Sequence, residues 1–163
     1  MHYFAYGSNL SLRRLRARVP SATPLGNAVL YGHQLRFHKR GRDGSAKCDA
    51  ITTLAPDQRV LGVVFDIAST HKSDLDLVEG VGQGYETKTV RVELAYGGWL
   101  EAFTYSATLI DPKLKPYDWY KAHVLRGALE HQLAADYIQS IQDIESIPDP
   151  DQERHAREML IYR

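Results

Sequence analysis

Tyr3-Phe4-Ala5-Tyr6-Gly7-Ser8-Asn9-Leu10 is the stretch that decides the fold, because it joins a buried strand, a sharp turn and a helix start. Residues 2–6 are mostly apolar, which predicts a central strand buried on both faces. Gly7 can adopt backbone angles that other residues avoid, so a turn is expected there. Ser8 and Asn9 have side chains that can cap the helix that follows.

A turn of this kind makes an anion-binding site. The N–H groups at a helix start have no partner within the helix, so those around Gly7, Ser8 and Asn9 can point at a common volume. Such groups bind a carboxylate or stabilise a developing oxyanion. Which of the two they hold is open at this stage.

Length, charge and cysteine content bound the class of protein. The 163 residues suffice for one domain with a real core, and we expect a single domain over 1–163. Lys and Arg together number 20, as do Asp and Glu, so no net charge favours nucleic acid or an anionic membrane. The single Cys48 excludes an internal disulfide, and we expect it to be buried. No targeting or membrane segment follows Met1, which predicts a cytoplasmic protein.

Hydrophobic periodicity predicts an α+β protein, because several strands and helices occur without regular βαβ alternation. The predicted strands are 2–6, 28–38, 48–54, 60–67, 85–95 and 99–107. Two hairpins are expected, one joining 48–54 to 60–67 and one joining 85–95 to 99–107. The predicted helices are 11–18, 69–79, one that follows Pro116, 134–144 and 151–161.

Glu79 is the candidate catalytic residue. It lies in the last turn of the predicted helix 69–79, after two apolar residues, and Gly80 ends that helix. Burial and the negative end of the helix dipole both disfavour its charge, which would help it to accept a proton. The alternative from position alone is an exposed glutamate with no task, as most glutamates are.

The same residues resemble a known family. The octapeptide 3–10 is similar to the signature loop of the γ-glutamylcyclotransferases, and Glu79-Gly80-Val81 is similar to the segment that holds the family's catalytic glutamate. Weaker similarity runs from Tyr3 to about Ser146. The resemblance implies a small mixed β-barrel with helices packed outside it, and it favours a catalytic Glu79.

The resemblance also implies an activity, the release of 5-oxoproline from a small γ-glutamyl substrate. The substrate's own α-amine attacks its γ-carbonyl carbon, and Glu79 moves the proton from that amine to the leaving nitrogen. No cofactor or metal is implied. The substrate-binding residues that the resemblance implies are Tyr3, Phe4, Ala5, Tyr6, Gly7, Ser8, Asn9 and Tyr120.

Several assignments near this site have alternatives. Tyr120 is about as well explained as a core tyrosine on an apolar helix face. Tyr85 is the candidate for the family's aromatic residue beyond the glutamate, one residue short of the usual spacing. Tyr105 fits a strand core better than a cavity wall. The glycine-containing segment 80–84 follows a helix and not a strand, so it predicts a pliable loop over a site rather than a nucleotide loop.

The leaving group is left open among related classes. These are γ-glutamyl-amino acids, γ-glutamylamines and a γ-glutamyl protecting group removed during biosynthesis. The γ-glutamylamine branch opens with Tyr-Gly-Thr-Leu, whereas this chain has Tyr-Gly-Ser-Asn-Leu, and the glutathione-specific branch continues differently. A non-catalytic binding module of the same fold is the alternative from another class, and Glu79 beside an intact loop argues against it.

Other partners are not expected, although the sequence permits a homodimer. The histidines show no metal-ligand spacing, so no metal is expected. A basic cluster within 33–42 is interpreted as a solvated strand end and not as a nucleic-acid site. Its members are His33, Arg36, His38, Lys39, Arg40 and Arg42.

Overall fold

The structure is a computed structural model that describes residues 1–163 as seven strands and five α-helices. The strands are β1 (His2–Ala5), β2 (Thr23–Tyr31), β3 (His33–Arg40), β4 (Ala46–Thr52), β5 (Arg59–Asp66), β6 (Tyr85–Leu94) and β7 (Trp99–Ala107). The helices are α1 (Leu12–Arg18), α2 (Lys72–Glu79), α3 (Asp118–Glu130), α4 (Ala135–Gln142) and α5 (Gln152–Met159). Short 3₁₀ helices cover Ser8–Leu10, Ser69–His71 and Leu160–Tyr162.

Five strands close into a barrel in the order β1-β5-β2-β6-β7. Strand β1 pairs antiparallel with β5 and parallel with β7, where Tyr3 lies opposite Phe103, so the barrel is mixed. Strands β3 and β4 form a separate two-stranded sheet. The predicted α+β class and the small mixed barrel with surrounding helices are both confirmed.

The buried apolar side chains form one continuous cluster of 35 residues. Phe4 and Ala5 of β1 are completely buried within it, as expected for a central strand. Helices α1 and α3 contribute Leu15 and Val124, so the layer outside the barrel shares the same core. This continuity supports the single domain predicted for residues 1–163.

Two strand predictions were wrong. The predicted strand 28–38 is divided at Gly32, whose φ of +66° lies in the left-handed region, and its two parts belong to different sheets. The predicted hairpin between 48–54 and 60–67 does not form, because β4 pairs with β3 while β5 pairs with β1 and β2. Strand alternation shows that a segment can pair, but it does not identify the partner.

The second hairpin and most of the helices agree with prediction. Strands β6 and β7 pair from Tyr85–Ala107 to Glu93–Trp99, and Gly80 ends α2 in the left-handed conformation expected of a helix C-terminus. Helices α3, α4 and α5 occupy the predicted C-terminal positions. None of the helices combines the length and apolarity that crossing a bilayer requires.

Gly127 on α3 allows this helix to pack against the segment that follows Gly7. A Cβ atom at this position would lie 2.3 Å from Cβ of Leu10 and 2.4 Å from the backbone nitrogen of Ser11. Distances this short require either the helix or the segment to move. The small residue at 127 therefore sets how closely α3 supports the loop.

We predict that Gly127→Ala destabilises the protein. Alanine has the higher helix propensity and would by itself add about 0.5–1 kcal/mol of stability, but overpacking costs about 1–3 kcal/mol and decides the sign. The free energy of unfolding, measured by urea titration, should therefore decrease. An increase would contradict the close packing of α3 on the loop.

Candidate active site

Two adjoining cavities meet at Glu79, and the predicted loop lies between them. The larger has a volume of about 270 Å³, close to the lower end of the range for small-molecule sites. The smaller extends beneath it, and the two share Ser8, Glu79, Tyr85 and Tyr120. The smaller cavity is lined by Tyr3, Tyr6, Gly7, Ser8, Asn9, Cys48, Glu79, Tyr85, Tyr105 and Tyr120.

Gly7 is required by a close approach and not by an unusual φ. Its φ is −109°, which lies outside the left-handed region. A Cβ atom at this position would lie 3.0 Å from Cβ of Cys48 on β4 and 3.5 Å from the hydroxyl of Tyr120. The absence of a side chain thus lets the loop lie against β4 and α3. Cys48 is buried, as predicted.

Glu79 is held by one oxygen and free at the other. Its Oε1 accepts hydrogen bonds from Nδ2 of Asn9 at 2.9 Å and from Nη1 of Arg18 at 2.7 Å. Arg18 also donates to Oδ1 of Asn9 at 2.8 Å, which closes a three-residue ring. No protein group is bonded to Oε2. This arrangement orients the carboxylate and leaves one oxygen for a ligand.

The predicted capping role of Asn9 was therefore wrong. Its Nδ2 donates to Glu79 and to the hydroxyl of Tyr3, at 3.0 Å, and neither Ser8 nor Asn9 caps a helix. The oxygen that would accept a capping hydrogen bond, Oδ1, instead accepts from Arg18 at 2.8 Å. Asn9 instead joins the loop to the end of α2.

Arg18 is a site residue that sequence reasoning missed. The four arginines at 13, 14, 16 and 18 have the pattern of a solvated helix face, but Arg14 is only 8% exposed and the side chain of Arg18 is 19% exposed. Their spacing of four residues places both on one helix face. That spacing, directly after the loop, was the available signal.

Tyr120 presents its hydroxyl to the site. Its oxygen accepts a hydrogen bond from the backbone N–H of Cys48 at 3.0 Å, and the only protein group that interacts with its proton is the Cys48 sulfur, a weak acceptor. Burial raises the pKa of Tyr120 well above its usual range, so the group is a hydrogen-bond donor and not a phenolate. The side chain is both a buried core tyrosine and a cavity wall, which reconciles the two interpretations of the sequence.

Three other tyrosines that line the cavities donate their hydroxyl protons within the protein. Tyr6 donates to the carbonyl of Tyr105 at 2.5 Å, and Tyr85 donates to the carbonyl of Cys48. Tyr105 donates to Asp76 at 2.7 Å. Tyr105, which the sequence assigned to the strand core, therefore lines the smaller cavity as well as packing in the barrel.

The side chains of Phe4 and Ala5 lie in the core and do not line either cavity. Both side chains are completely buried. Phe4 packs in the barrel, where a Cβ atom at Gly62 would come within 2.7 Å of its ring. Their side chains therefore offer no contact to a ligand in either cavity, and the substrate contact that the resemblance implied for these two residues stays a prediction.

Most charges around the larger cavity are paired. Arg14 bonds to Glu158 at 2.5 Å, and Lys47 bonds to Asp43 at 2.7 Å. The ammonium of Lys47 also lies 4.6 Å from the ring centroid of Tyr120, which helps to fix that ring. No group of three or more His, Cys, Asp or Glu side chains is arranged to hold a metal ion anywhere in residues 1–163.

Lys39 contradicts the interpretation of 33–42 as a solvated strand end, because it is only 4% exposed. The pairing of β3 with β4 shifts by one residue between Phe37 and Lys39. A bulge of this kind changes the direction of the side chains that follow it. It places Lys39 opposite Lys47, and both side chains line the larger cavity.

His123 connects the cavity wall to the C-terminal helix. Its Nε2 lies 3.0 Å from Nη1 of Arg14, and its Nδ1 lies 2.7 Å from the hydroxyl of Tyr162. The imidazole is completely buried. Burial, reinforced by the charge of Arg14, lowers the pKa of His123 from 6.5 to about 4.

Comparison with known proteins agrees with this fold and site. Residues 59–141 match the AIG2-like family. The chain is 33% identical over 147 residues to a Bos taurus protein named γ-glutamylcyclotransferase, covering 88% of this chain and 78% of that one. The chain therefore belongs to the γ-glutamylcyclotransferase family, a family of cyclotransferase enzymes.

Solved structures show the same relationship. A γ-glutamyl cyclotransferase structure superposes with a TM-score of 0.84 at 25% identity, covering 96% of this chain and 98% of that one. An uncharacterized Homo sapiens protein superposes with a TM-score of 0.86 at 27% identity, covering 99% and 98%. The similarity thus extends over the barrel and the surrounding helices together.

We predict that His123 makes the protein less stable in acid. Its pKa is lower in the folded than in the unfolded chain, so stability is complete above about pH 6.5 and is lost as the pH falls toward about 4. The free energy of unfolding should decrease by roughly 3 kcal/mol over this window, because each unit of pKa shift corresponds to about 1.36 kcal/mol. Urea titrations at several pH values measure it.

Two variants make this test specific. His123→Gln should flatten the dependence between pH 6.5 and pH 4, whereas His155→Gln, which changes a histidine outside this network, should leave it unchanged. An unaltered acid dependence in His123→Gln would show that another group is responsible.

Proposed function

We propose that this chain releases 5-oxoproline from γ-glutamyl amides by intramolecular cyclisation. The α-amine nitrogen of the γ-glutamyl group forms a bond to its own γ-carbonyl carbon, and the bond from that carbon to the leaving nitrogen breaks. One proton leaves the attacking amine and one is delivered to the departing amine. No water is consumed and no covalent enzyme intermediate is needed.

Glu79 is the proposed general acid/base, and its geometry is the observation that carries the proposal. With Oε1 bonded to Asn9 and Arg18, the free Oε2 is the oxygen available to the substrate. The attacking and leaving nitrogens are attached to one tetrahedral carbon, so a single oxygen can take the proton from the first and return it to the second. A carboxylate held in this way is already oriented for proton transfer, which lowers the entropic cost of reaching the transition state.

The loop 7–9 is the proposed cradle for the γ-glutamyl group. The N–H of Gly7 donates no hydrogen bond within the protein, and the hydroxyl of Ser8 has no protein partner while lining both cavities. Donors in this position can hold the substrate's α-carboxylate or the carbonyl oxygen as it gains charge. The hydroxyl of Tyr120, whose proton has only the weakly accepting Cys48 sulfur within the protein, adds a third donor beside them.

The wider class of γ-glutamyl amides is thus the proposed substrate class. The retained carboxylate, its two donors and the free loop N–H together favour an enzyme over a non-catalytic module, since binding alone needs no oriented base. A cytoplasmic location and a homodimer stay predictions from the sequence.

We predict that Glu79→Gln removes nearly all turnover. Glutamine preserves the shape of the side chain but cannot accept the proton, so kcat should fall by about 10²–10⁴-fold. Substrate affinity, measured by isothermal titration calorimetry, should persist. Turnover is measured as 5-oxoproline by mass spectrometry, with a panel of γ-glutamyl-amino acids and γ-glutamylamines.

Glu86→Gln is the matched control, because the same substitution is made on the exposed face of β6. It should retain the wild-type rate. Substantial activity in Glu79→Gln would remove the assignment of the base, and no 5-oxoproline from any compound with the wild type would leave a binding module as the remaining alternative.

We predict a smaller, position-dependent effect at Arg18. In Arg18→Met the carboxylate loses one of the two donors on Oε1, and misplacement of a reacting group by about 1 Å can cost about 10²-fold. We expect kcat to decrease by about 10–100-fold with little change in KM. Arg13→Met, on the exposed side of the same helix, is the control; an equal decrease in both variants would show a general effect of charge or stability.

A further inference from the structure

Lys39 is a buried cation without a partner in the protein. Lys39 is 4% exposed and lines the larger cavity. Its ammonium group donates no hydrogen bond to any acceptor in the protein. Burial lowers the pKa of Lys39. Its ammonium group opens to the cavity without an acceptor, and ammonium groups of mostly buried lysines are normally paired. The position therefore suits an anion that comes from outside the chain.

The surroundings of Lys39 hold it toward the cavity. Its ammonium lies 4.4 Å from the ring centroid of Tyr85, which favours a cation over the ring face. A Cβ atom at Gly84 would lie 2.9 Å from Cε and 3.1 Å from Nζ of Lys39, so glycine leaves room for this side chain. The side chain of Lys39 thus packs between the ring of Tyr85 and the backbone of Gly84.

Five cationic and three carboxylate side chains line the larger cavity, so two of the cations have no carboxylate paired with them. Arg14, Arg18 and Lys47 are each paired with a carboxylate, namely Glu158, Glu79 and Asp43. Lys39 and Arg42 remain, and Arg42 bonds only to the neutral amide oxygen of Gln83, at 2.7 Å. Beyond burial, which lowers the pKa of Lys39, Glu79 and Asp43 raise it and Arg42 lowers it, so Lys39 lies within range of all three charges without an ion pair to either carboxylate. Two negative charges would neutralise the pair.

Lys39 and Arg42 lie on the side of Glu79 that is away from the smaller cavity. The donors of the loop, with Gly7, line the smaller cavity, whereas Lys39 and Arg42 line only the larger one. Glu79 borders both cavities. If the γ-glutamyl group contacts the loop and the scissile amide lies at Glu79, the leaving amine extends into the larger cavity.

We propose that Lys39 and Arg42 form an anion subsite for the leaving group, and that the preferred substrates are γ-glutamyl conjugates of acidic amino acids. Such a leaving group carries an α-carboxylate and a side-chain carboxylate, which match the two cations. The proposal rests on the proposed function, since it assigns the part of the same site that selects the leaving amine.

The test compares γ-glutamylglutamate with γ-glutamylglutamine, which have the same shape but differ by one negative charge. Wild-type kcat/KM should be about 10–100-fold higher for γ-glutamylglutamate, the value of a charge-assisted hydrogen bond. γ-Glutamyl-n-butylamine, which carries neither carboxylate, should be slower again. Equal values for the three compounds would overturn the subsite.

Lys39→Met should reduce the glutamate-to-glutamine ratio to about twofold or less, mainly by raising KM for γ-glutamylglutamate. Arg42→Met should reduce the ratio partially, because Arg42 is exposed and better screened. Lys113→Met, an exposed lysine outside the cavity, removes one positive charge elsewhere and should leave the ratio unchanged. A ratio that survives Lys39→Met would overturn the role of this lysine.

Binding to the Glu79→Gln variant separates this inference from the proposed function. Calorimetric affinities for γ-glutamylglutamate and γ-glutamylglutamine should differ by about tenfold or more, and adding Lys39→Met should remove the difference. If no compound is turned over by the wild type but this difference persists, the proposed function fails and the subsite stands. If turnover occurs without any dependence on charge, the subsite fails and the proposed function stands.

Discussion

The hydrogen-bonded ring of Asn9, Arg18 and Glu79 is the interaction on which the rest of the site depends. It joins the loop after β1 and the end of α1, which are nine residues apart, to the end of α2, which lies more than 60 residues further along the chain. One carboxylate oxygen is used in holding them together, and the other remains for chemistry. The side chain of Glu79 is therefore both a structural contact and the proposed catalytic group. Asn9 and Arg18, which stabilise the fold through this contact, also orient the base.

Close backbone packing keeps this ring beside its cavities. The loop can lie against β4 only because residue 7 has no side chain, and α3 can support the loop only because residue 127 has none. Tyr120 on α3 then reaches the backbone N–H of Cys48 on β4 across the same junction. The polar donors where the γ-glutamyl group is proposed to bind are thus positioned by close packing contacts.

The electrostatics change from one side of Glu79 to the other. The smaller cavity is lined largely by tyrosines and loop residues, whereas the larger one is lined by arginines, lysines and a few carboxylates. Most of those charges neutralise one another, and the remainder is positive. Under the proposed function, the donors that hold the γ-glutamyl group lie on the loop, and the cations proposed to select the leaving amine lie in the larger cavity.

The sequence by itself determined the α+β class, the buried first strand, the β6–β7 hairpin and the candidate Glu79 beside the 3–10 loop, because these depend on local alternation, turn residues and a compact motif. Only the tertiary structure decided that β3 pairs with β4, that Asn9 and Arg18 bind Glu79, and that Lys39 is buried while the side chains of Phe4 and Ala5 line neither cavity. Local pattern records which residues can pair or be buried. Which partners meet is decided by strand closure, by a one-residue bulge and by glycines whose packing neighbours are remote in sequence, and none of these is a property of a short segment.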